Sequence, residues 1–566
     1  MGHLYFLVFF VLYSMNAFLK TRKKEFGTLV LLGMTNMQLR RMVFLENGLL
    51  GLLATITGIG LGTAFAKVIL LAAENVLSLE QTLTFYWPWQ AVMLTFAAFV
   101  LLFAGISFFT AAVLRGDKLI DLLKGSVMPR PEPKASIWLS LLAALCIGTG
   151  YAVALKVEGV AVAAAFIPVS VLVIIGTYFL FTQLSVRLIH FGKKRKAFFW
   201  RKTNMLFLSD MAYRMKDNAR MFFLTAILST VAFSAIGALV GFKTMMNDSI
   251  LKENPFALEY ISQAGNPEET ERAHVEAIEE TLRSEQIAYT LYKAEMKTVA
   301  GAEDGQTVVT VKQSDYNQAA EAAGESPVHL QDGQAVAIYY SNPFINRMDR
   351  QEQLSFAEQD TVLQVTDRMQ TYVLPIFSTF YVIPDSVFAS LQGEKLERFY
   401  AFDVADWGST LHAGEQLREK FGKRGSGPYD YKSLAIAMHE MNQSYGVILF
   451  VGLFIGVVFF VAAGSFLYFR LYADLEDDKH KFSAIRRLGL SDEEQAKVVT
   501  RQLLLLFFVP VGTALIHGAV ALTAFQRMFS FSLVMESALV LGSFLLIQLI
   551  YFLLIRARYI HQLRTE

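Results

Sequence analysis

Nine runs of roughly 20 apolar residues constrain this chain more than any other feature: 2–19, 47–71, 89–114, 136–155, 159–186, 221–244, 445–469, 502–525 and 535–555. A helix of that length crosses the hydrocarbon core of a bilayer. Only helices and closed barrels satisfy their own backbone hydrogen bonds there. The chain is 54% apolar, with a mean hydropathy of +0.40, beyond what a soluble protein carries. The expected class is therefore an α-helical polytopic membrane protein of about nine spans. The single cysteine, Cys146, lies inside one of the runs, so no disulfide within the chain can staple an extramembrane part.

Lys and Arg between the runs set orientation. Loops 20–41, 115–134 and 187–220 are basic, as is the tail with Arg556, Arg558 and Arg564, whereas 72–88 carries only Glu74 and Glu80. The basic loops and the C-terminus are thus expected to be cytoplasmic. Loop 470–501, balanced in charge, falls inside by parity, and an odd span count puts Met1 outside. A net charge of +1 hides a strong segregation. Residues 247–442 hold 31 acidic and 16 basic side chains, and the rest holds 19 acidic and 35 basic. Three regions follow: spans in 1–245, an acidic extracellular block in 246–443, and spans in 444–566.

The block 246–443 has the length of one domain. Alternating stretches at 306–311, 335–340, 362–365, 380–383 and 399–402 predict strands, and 268–285, 314–323, 385–391 and 411–421 predict helices. Ser314 and Asp385 are the expected N-caps. This is an inserted α+β domain with a weak strand-to-helix repeat.

One motif occurs twice. After the first run come Lys20, Arg22, Lys23, Lys24, Glu25, Phe26, Gly27, Leu32, Gly33 and Thr35; 456 residues later come Lys481, Phe482, Leu488, Gly489 and Ser491. Phe26, Gly33 and Thr35 map onto Phe482, Gly489 and Ser491 without a gap. Each copy follows one apolar run and leads into another. Charge alone could serve topology, but it does not explain a duplicated Phe-x6-Gly-x-Thr/Ser. The same offset sets Met1 opposite Val457, inside the seventh run, so the first span reads as clipped.

Other features have plainer readings. Gly58 with Gly62, Gly237 with Gly241, and Gly452 with Gly456 allow close helix packing within the chain. Glu46 and Asn47 make a polar entry to the second span. Segment 209–220 reads as an amphipathic helix in the interface, with Met211 and Met215 on one face and Arg214, Lys216 and Arg220 reaching headgroups. No Gly-x4-Gly-Lys-Ser/Thr loop, His-Glu-x-x-His or paired-cysteine motif is present. The carboxylate pairs Glu268–Glu269 and Glu279–Glu280 sit on helix faces as solvated charge. No catalytic or metal-ligating constellation is expected, and no nucleic-acid partner.

With these residues in place, the chain resembles the FtsX-like permeases of ABC transporters, and more closely their bacitracin-resistance type. The markers are Glu25-Phe26-Gly27 leading to Gly33 and Thr35, then Glu46-Asn47, then Arg214, Lys216, Asp217, Asn218 and Ala219 before the sixth span, and the large insert after it. The family has one further N-terminal span.

The resemblance implies separate ATP-binding subunits, two copies, which bind ATP and Mg; this chain would bind no cofactor itself. They would dock on cytoplasmic coupling helices formed by Glu25, Phe26, Gly27, Leu32, Gly33 and Thr35 and by Lys481, Phe482, Leu488, Gly489 and Ser491. Phe26 and Phe482 would be the apolar knobs, and the glycines the turns. The implied function is resistance to, and sensing of, peptide antibiotics bound to lipid intermediates of the cell wall, with a sensor histidine kinase as a further partner. A transmitter that regulates an outer partner without moving a solute is the alternative. A secondary transporter would need ionisable groups deep in the spans, and almost none are present.

Overall fold

The structure, a computed structural model, describes residues 22–77, 86–113, 135–339 except 202 and 303–306, and 352–564 except 358, 377–378, 393–394, 423–426 and 530, with scattered positions from 8 to 15. The expected span 2–19, loop 115–134 and most of loop 72–88 lie outside the described residues. Among those described, eight helices are long and apolar enough to cross a membrane, at the eight remaining runs.

Along the chain, α1 (Lys23–Leu31) turns into α2 (Asn36–Leu77), followed by α3 (Trp89–Val113), α4 (Ile137–Lys156) and α5 (Ala161–Phe179). A π-helical turn, Leu180–Leu184, carries α5 into Ser185–Lys194. Then come α6 (Asn204–Glu253), the residues of the insert, α11 (Leu434–Arg486), α12 (Asp492–Phe529) and α13 (Val534–Arg564). The chain divides into two compact units, Met1–Gly241 with Ile448–Glu566, and Phe242–Val447.

In the helical unit many large apolar side chains point outward, Leu94, Leu101, Phe166 and Leu554 among them, as a surface facing lipid requires. Small residues admit neighbours. Gly176 of α5 sits against the Ile147 backbone of α4, Gly237 against Leu522, Gly241 against Leu533, and Gly456 against Ile236. Gly58 and Gly62 face open space. One polar chain joins three spans. The Thr177 hydroxyl donates to the Val173 carbonyl (2.6 Å), so its oxygen accepts from His517 Nε2 (2.8 Å), and His517 Nδ1 accepts from the Tyr151 hydroxyl (2.5 Å).

The second unit is one nine-stranded mixed sheet of order β5-β6-β4-β7-β3-β2-β8-β1-β9. The strands are β1 (Leu258–Ser262), β2 (Thr290–Ala300), β3 (Thr307–Lys312), β4 (Gln334–Tyr339), β5 (Gln353–Phe356), β6 (Gln359–Gln370), β7 (Phe380–Ile383), β8 (Lys395–Asp403) and β9 (Tyr429–Ser433). Helices α7 (Glu268–Ser284), α8 (Gln313–Ala322), α9 (Asp385–Ser390) and α10 (Leu411–Phe421) complete it. The strand period places Val336, Ile338, Phe380 and Val382 in one apolar cluster and Ala335, Ala337, Tyr381 and Ile383 in another.

The two expected N-caps are corrected. α8 starts at Gln313 after Lys312, and α9 starts at Asp385 after Pro384. The Asp385 carboxylate instead accepts the Ser314 backbone N–H (3.1 Å), joining the β3–α8 and β7–α9 halves, whose strands pair in parallel. A short link, 254–257, separates α6 from β1, while β9 abuts α11, and the two strands pair antiparallel, Leu258 opposite Ser433. That register ties the last residues of α6 to the first of α11.

Candidate docking site

Both copies of the repeat fold into one hairpin geometry. At the end of α1 the Gly33 N–H donates to the Val30 carbonyl and the Met34 N–H to the Leu29 carbonyl, both at 3.1 Å. In the second copy, Gly489 donates to Arg486 (3.0 Å) and Leu490 to Ile485 (3.4 Å). This is the helix ending that needs a left-handed residue, and Gly33 and Gly489 have φ of +99° and +102°. The next helix then starts on a capping box. Thr35 accepts from the Gln38 N–H (3.3 Å), while Gln38 Oε1 accepts from the Thr35 N–H (2.9 Å). Ser491 and Glu494 repeat it at 3.3 and 3.2 Å. Gln38 and Glu494 were missed by sequence reasoning, although Thr/Ser-x-x-Gln/Glu is a readable signature.

The hairpin tip presents one large apolar side chain. Leu32 is 80% exposed and Leu488 is 87% exposed. Phe26 and Phe482, the expected knobs, are 0% and 2% exposed. This is a correction with a simple cause. Seven residues before the glycine, the ring faces the returning helix; Phe26 clusters with Leu39 and Val43, and Phe482 lies in a cluster with Val498 and Val499. The leucine sits where the chain reverses and nothing covers it. Gly489→Ala is expected to cost about 1–2 kcal/mol through the left-handed backbone alone. Faster hydrogen exchange at residues 486–491 would register this, and an unchanged rate would contradict the turn assignment.

The remaining residues of the motif are occupied within the chain. Glu25 pairs with Arg22 (2.7 Å), Gly27 is buried, and Lys481 pairs with Asp210 (2.8 Å) and Asp478 (2.9 Å) while lying over the Phe482 ring. Around Lys481 lies a polar cluster from four helices that sequence reasoning missed. Gln502 donates to Asp210 (2.7 Å), the Tyr559 hydroxyl to Asp478 (2.7 Å), and Arg470 to Asn218 (2.8 Å). Its members stand up to 349 residues apart, so no local pattern marks them.

Segment 209–220 is also corrected. It is not a separate interfacial helix but the opening turns of the 50-residue α6, continuous with the sixth span. Met211 is buried and Arg220 is exposed; the side chains of Arg214, Lys216 and Met215 lie outside the described residues. A propensity pattern cannot show where a helix ends when no breaker stands between an amphipathic stretch and an apolar one.

A family model described as the C-terminal part of FtsX-like permeases matches residues 4–119. The ABC transporter permease protein YxdM of Bacillus subtilis is 35% identical over 570 residues, covering 99% of this chain and 89% of that protein. The uncharacterized ABC transporter permease YvcS of the same organism is 28% identical, with 98% and 88% covered. Its bacitracin export permease protein BceB is 22% identical, with 90% and 82% covered. A likeness of that extent, together with eight apolar helices carrying a mixed-sheet insert, settles the class: this multi-pass membrane protein belongs to the FtsX-like permeases of ABC transporters.

Proposed function

We propose that this permease is driven by a separate ATP-binding subunit, two copies of which seat on the hairpin tips at Leu32 and Leu488. ATP and Mg belong to that subunit. The observation that carries the reading is the duplicated tip, since a dimeric motor offers two equal sockets and this chain builds two equal plugs. In this reading the tips and the C-terminus are cytoplasmic, and 246–443 is extracellular. α11 then carries motion outward, because one helix runs from β9 to within three residues of Gly489. At 53 residues it is about 80 Å long.

The likeness to BceB supports resistance to, and sensing of, cell-wall-targeting peptide antibiotics, with a sensor histidine kinase and a lipid-bound drug as further partners. An acidic outer block attracts cationic peptides by its summed field. A cavity of about 320 Å³ in that block, lined by Glu253, Arg418, Tyr431, Lys432 and Glu440, is of ligand size. The continuity of α11 equally favours a transmitter that acts on an outer partner and moves no solute.

Purified complex in nanodiscs tests this. Peptide antibiotic is expected to raise ATP hydrolysis severalfold, and deletion of 260–430 to abolish the response. Unchanged drug susceptibility of cells lacking the permease would refute the resistance role and leave the transmitter.

A further inference from the structure

The two hairpins are held by ion pairs of opposite polarity. In the first, Arg22 pairs with Glu25 one turn on (2.7 Å) and with Glu46 on the returning helix α2. The 456-residue offset puts Asp478 at the place of Arg22, Lys481 at that of Glu25, and Gln502 at that of Glu46. The charges are exchanged along the helix, and Lys481 pairs one turn back with Asp478 (2.9 Å).

Gln502 carries no charge and cannot replace Glu46. The missing carboxylate comes from another helix. Asp210 of α6 accepts from Lys481 at one oxygen (2.8 Å) and from Gln502 at the other (2.7 Å). Its side chain is 13% exposed and that of Asp478 is 5% exposed. A lysine between two such carboxylates holds α6, α11 and α12 together directly behind the tip, since an ion pair this buried is costly to break from one side.

From this we infer that Asp210 is a positioning residue for the second docking tip. Through Lys481 it sets the angle between α11 and α12, and it joins that tip to α6, the helix that runs on to Glu253. The inference rests on the reading of the tips as docking elements and names a third helix that the second tip would move.

Full-length permease with its ATP-binding subunit, in nanodiscs, provides the test. Lys481→Glu places three carboxylates together, and Asp210→Lys places two ammonium groups together. Each is expected to speed hydrogen exchange at residues 482–490 by about tenfold or more. With both substitutions in one chain the pair is restored with its charges swapped, and exchange returns to within about twofold of the parent. Asp210→Asn keeps the shape and loses the charge, so it falls between. Unchanged exchange in the single variants, or a double variant no slower than they are, overturns the inference. Co-purification separates it from its premise. If exchange follows the expected order while the ATP-binding subunit stays bound to every variant, the clamp stands and docking at the tip falls.

Discussion

Leu32→Asp and Leu488→Asp together are expected to release the ATP-binding subunit while the permease still inserts and folds. Each leucine is almost fully exposed, so its replacement removes little from the chain's own packing. A leucine fully buried in a socket contributes about 1.5–3 kcal/mol, and a carboxylate put in its place meets an added desolvation cost. One substitution should weaken binding by roughly 30- to 100-fold. The second also removes the bivalent advantage, about 10²–10⁴ in apparent affinity. Co-purification from detergent, with size-exclusion profile and thermal stability as controls for folding, reads both effects. Phe26→Asp and Phe482→Asp make the contrast. They put a charge into apolar clusters and should lower stability by several kcal/mol, so any loss of partner would follow loss of the hairpin. Full retention of the subunit by the folded double leucine variant would falsify the assignment.

That contrast shows what was legible in the sequence. The constant offset exposed a duplicated element and its turn glycines, because a left-handed helix ending leaves a residue-type signature. It did not show which apolar side chain faces out. Direction depends on the returning helix, which covers Phe26 and Phe482 and leaves Leu32 and Leu488 bare. Spans were readable for a related reason: in lipid, length and apolarity suffice. In the insert, the stretches that became β3, β4, β7 and β8 were found from alternation. β1 was not, because all five of its residues are buried and the pattern has no polar side. β9 was missed for the opposite reason, as Tyr429–Ser433 is mostly half-buried and carries Asp430 and Lys432. β2 alternates with Lys293, Glu295 and Lys297 on faces that the fold engages in ion pairs and hydrogen bonds, so its charges disguised it. Asp210 lay beyond reach altogether. Only the packing of α6 against α11 brings it to Lys481.

The same kind of long-range pairing governs the second large effect, in the outer unit. Glu271 of α7 is buried, and its carboxylate accepts from the Ser262 hydroxyl of β1 (2.6 Å), the Tyr400 hydroxyl of β8 (2.5 Å) and the Arg398 guanidinium of β8 (3.2 Å). Burial alone would push this carboxyl up. Hydrogen bonds from Ser262 and Tyr400, with the charge of Arg398, outweigh it and hold the group below the ordinary carboxylate value. The sign of the pH dependence follows. A carboxyl whose folded pKa is depressed takes up protons more readily when unfolded. Its contribution is therefore full above the unfolded value and is lost as pH falls through the folded one. Protection of amides in β1 and β8 should decline between about pH 5 and pH 2, and Glu271→Gln should remove this part of the decline. Glu271→Ala is expected to cost about 3–5 kcal/mol, because it leaves Arg398 and the Tyr400 hydroxyl without their shared acceptor. Adding Arg398→Met should recover part of that loss, since removing both charges spares the cost of a lone buried one. Hydrogen exchange of full-length protein across that pH range measures all three. A Glu271→Gln profile that tracks the parent through the acid limb would show that Glu271 is not what the sheet loses on acidification.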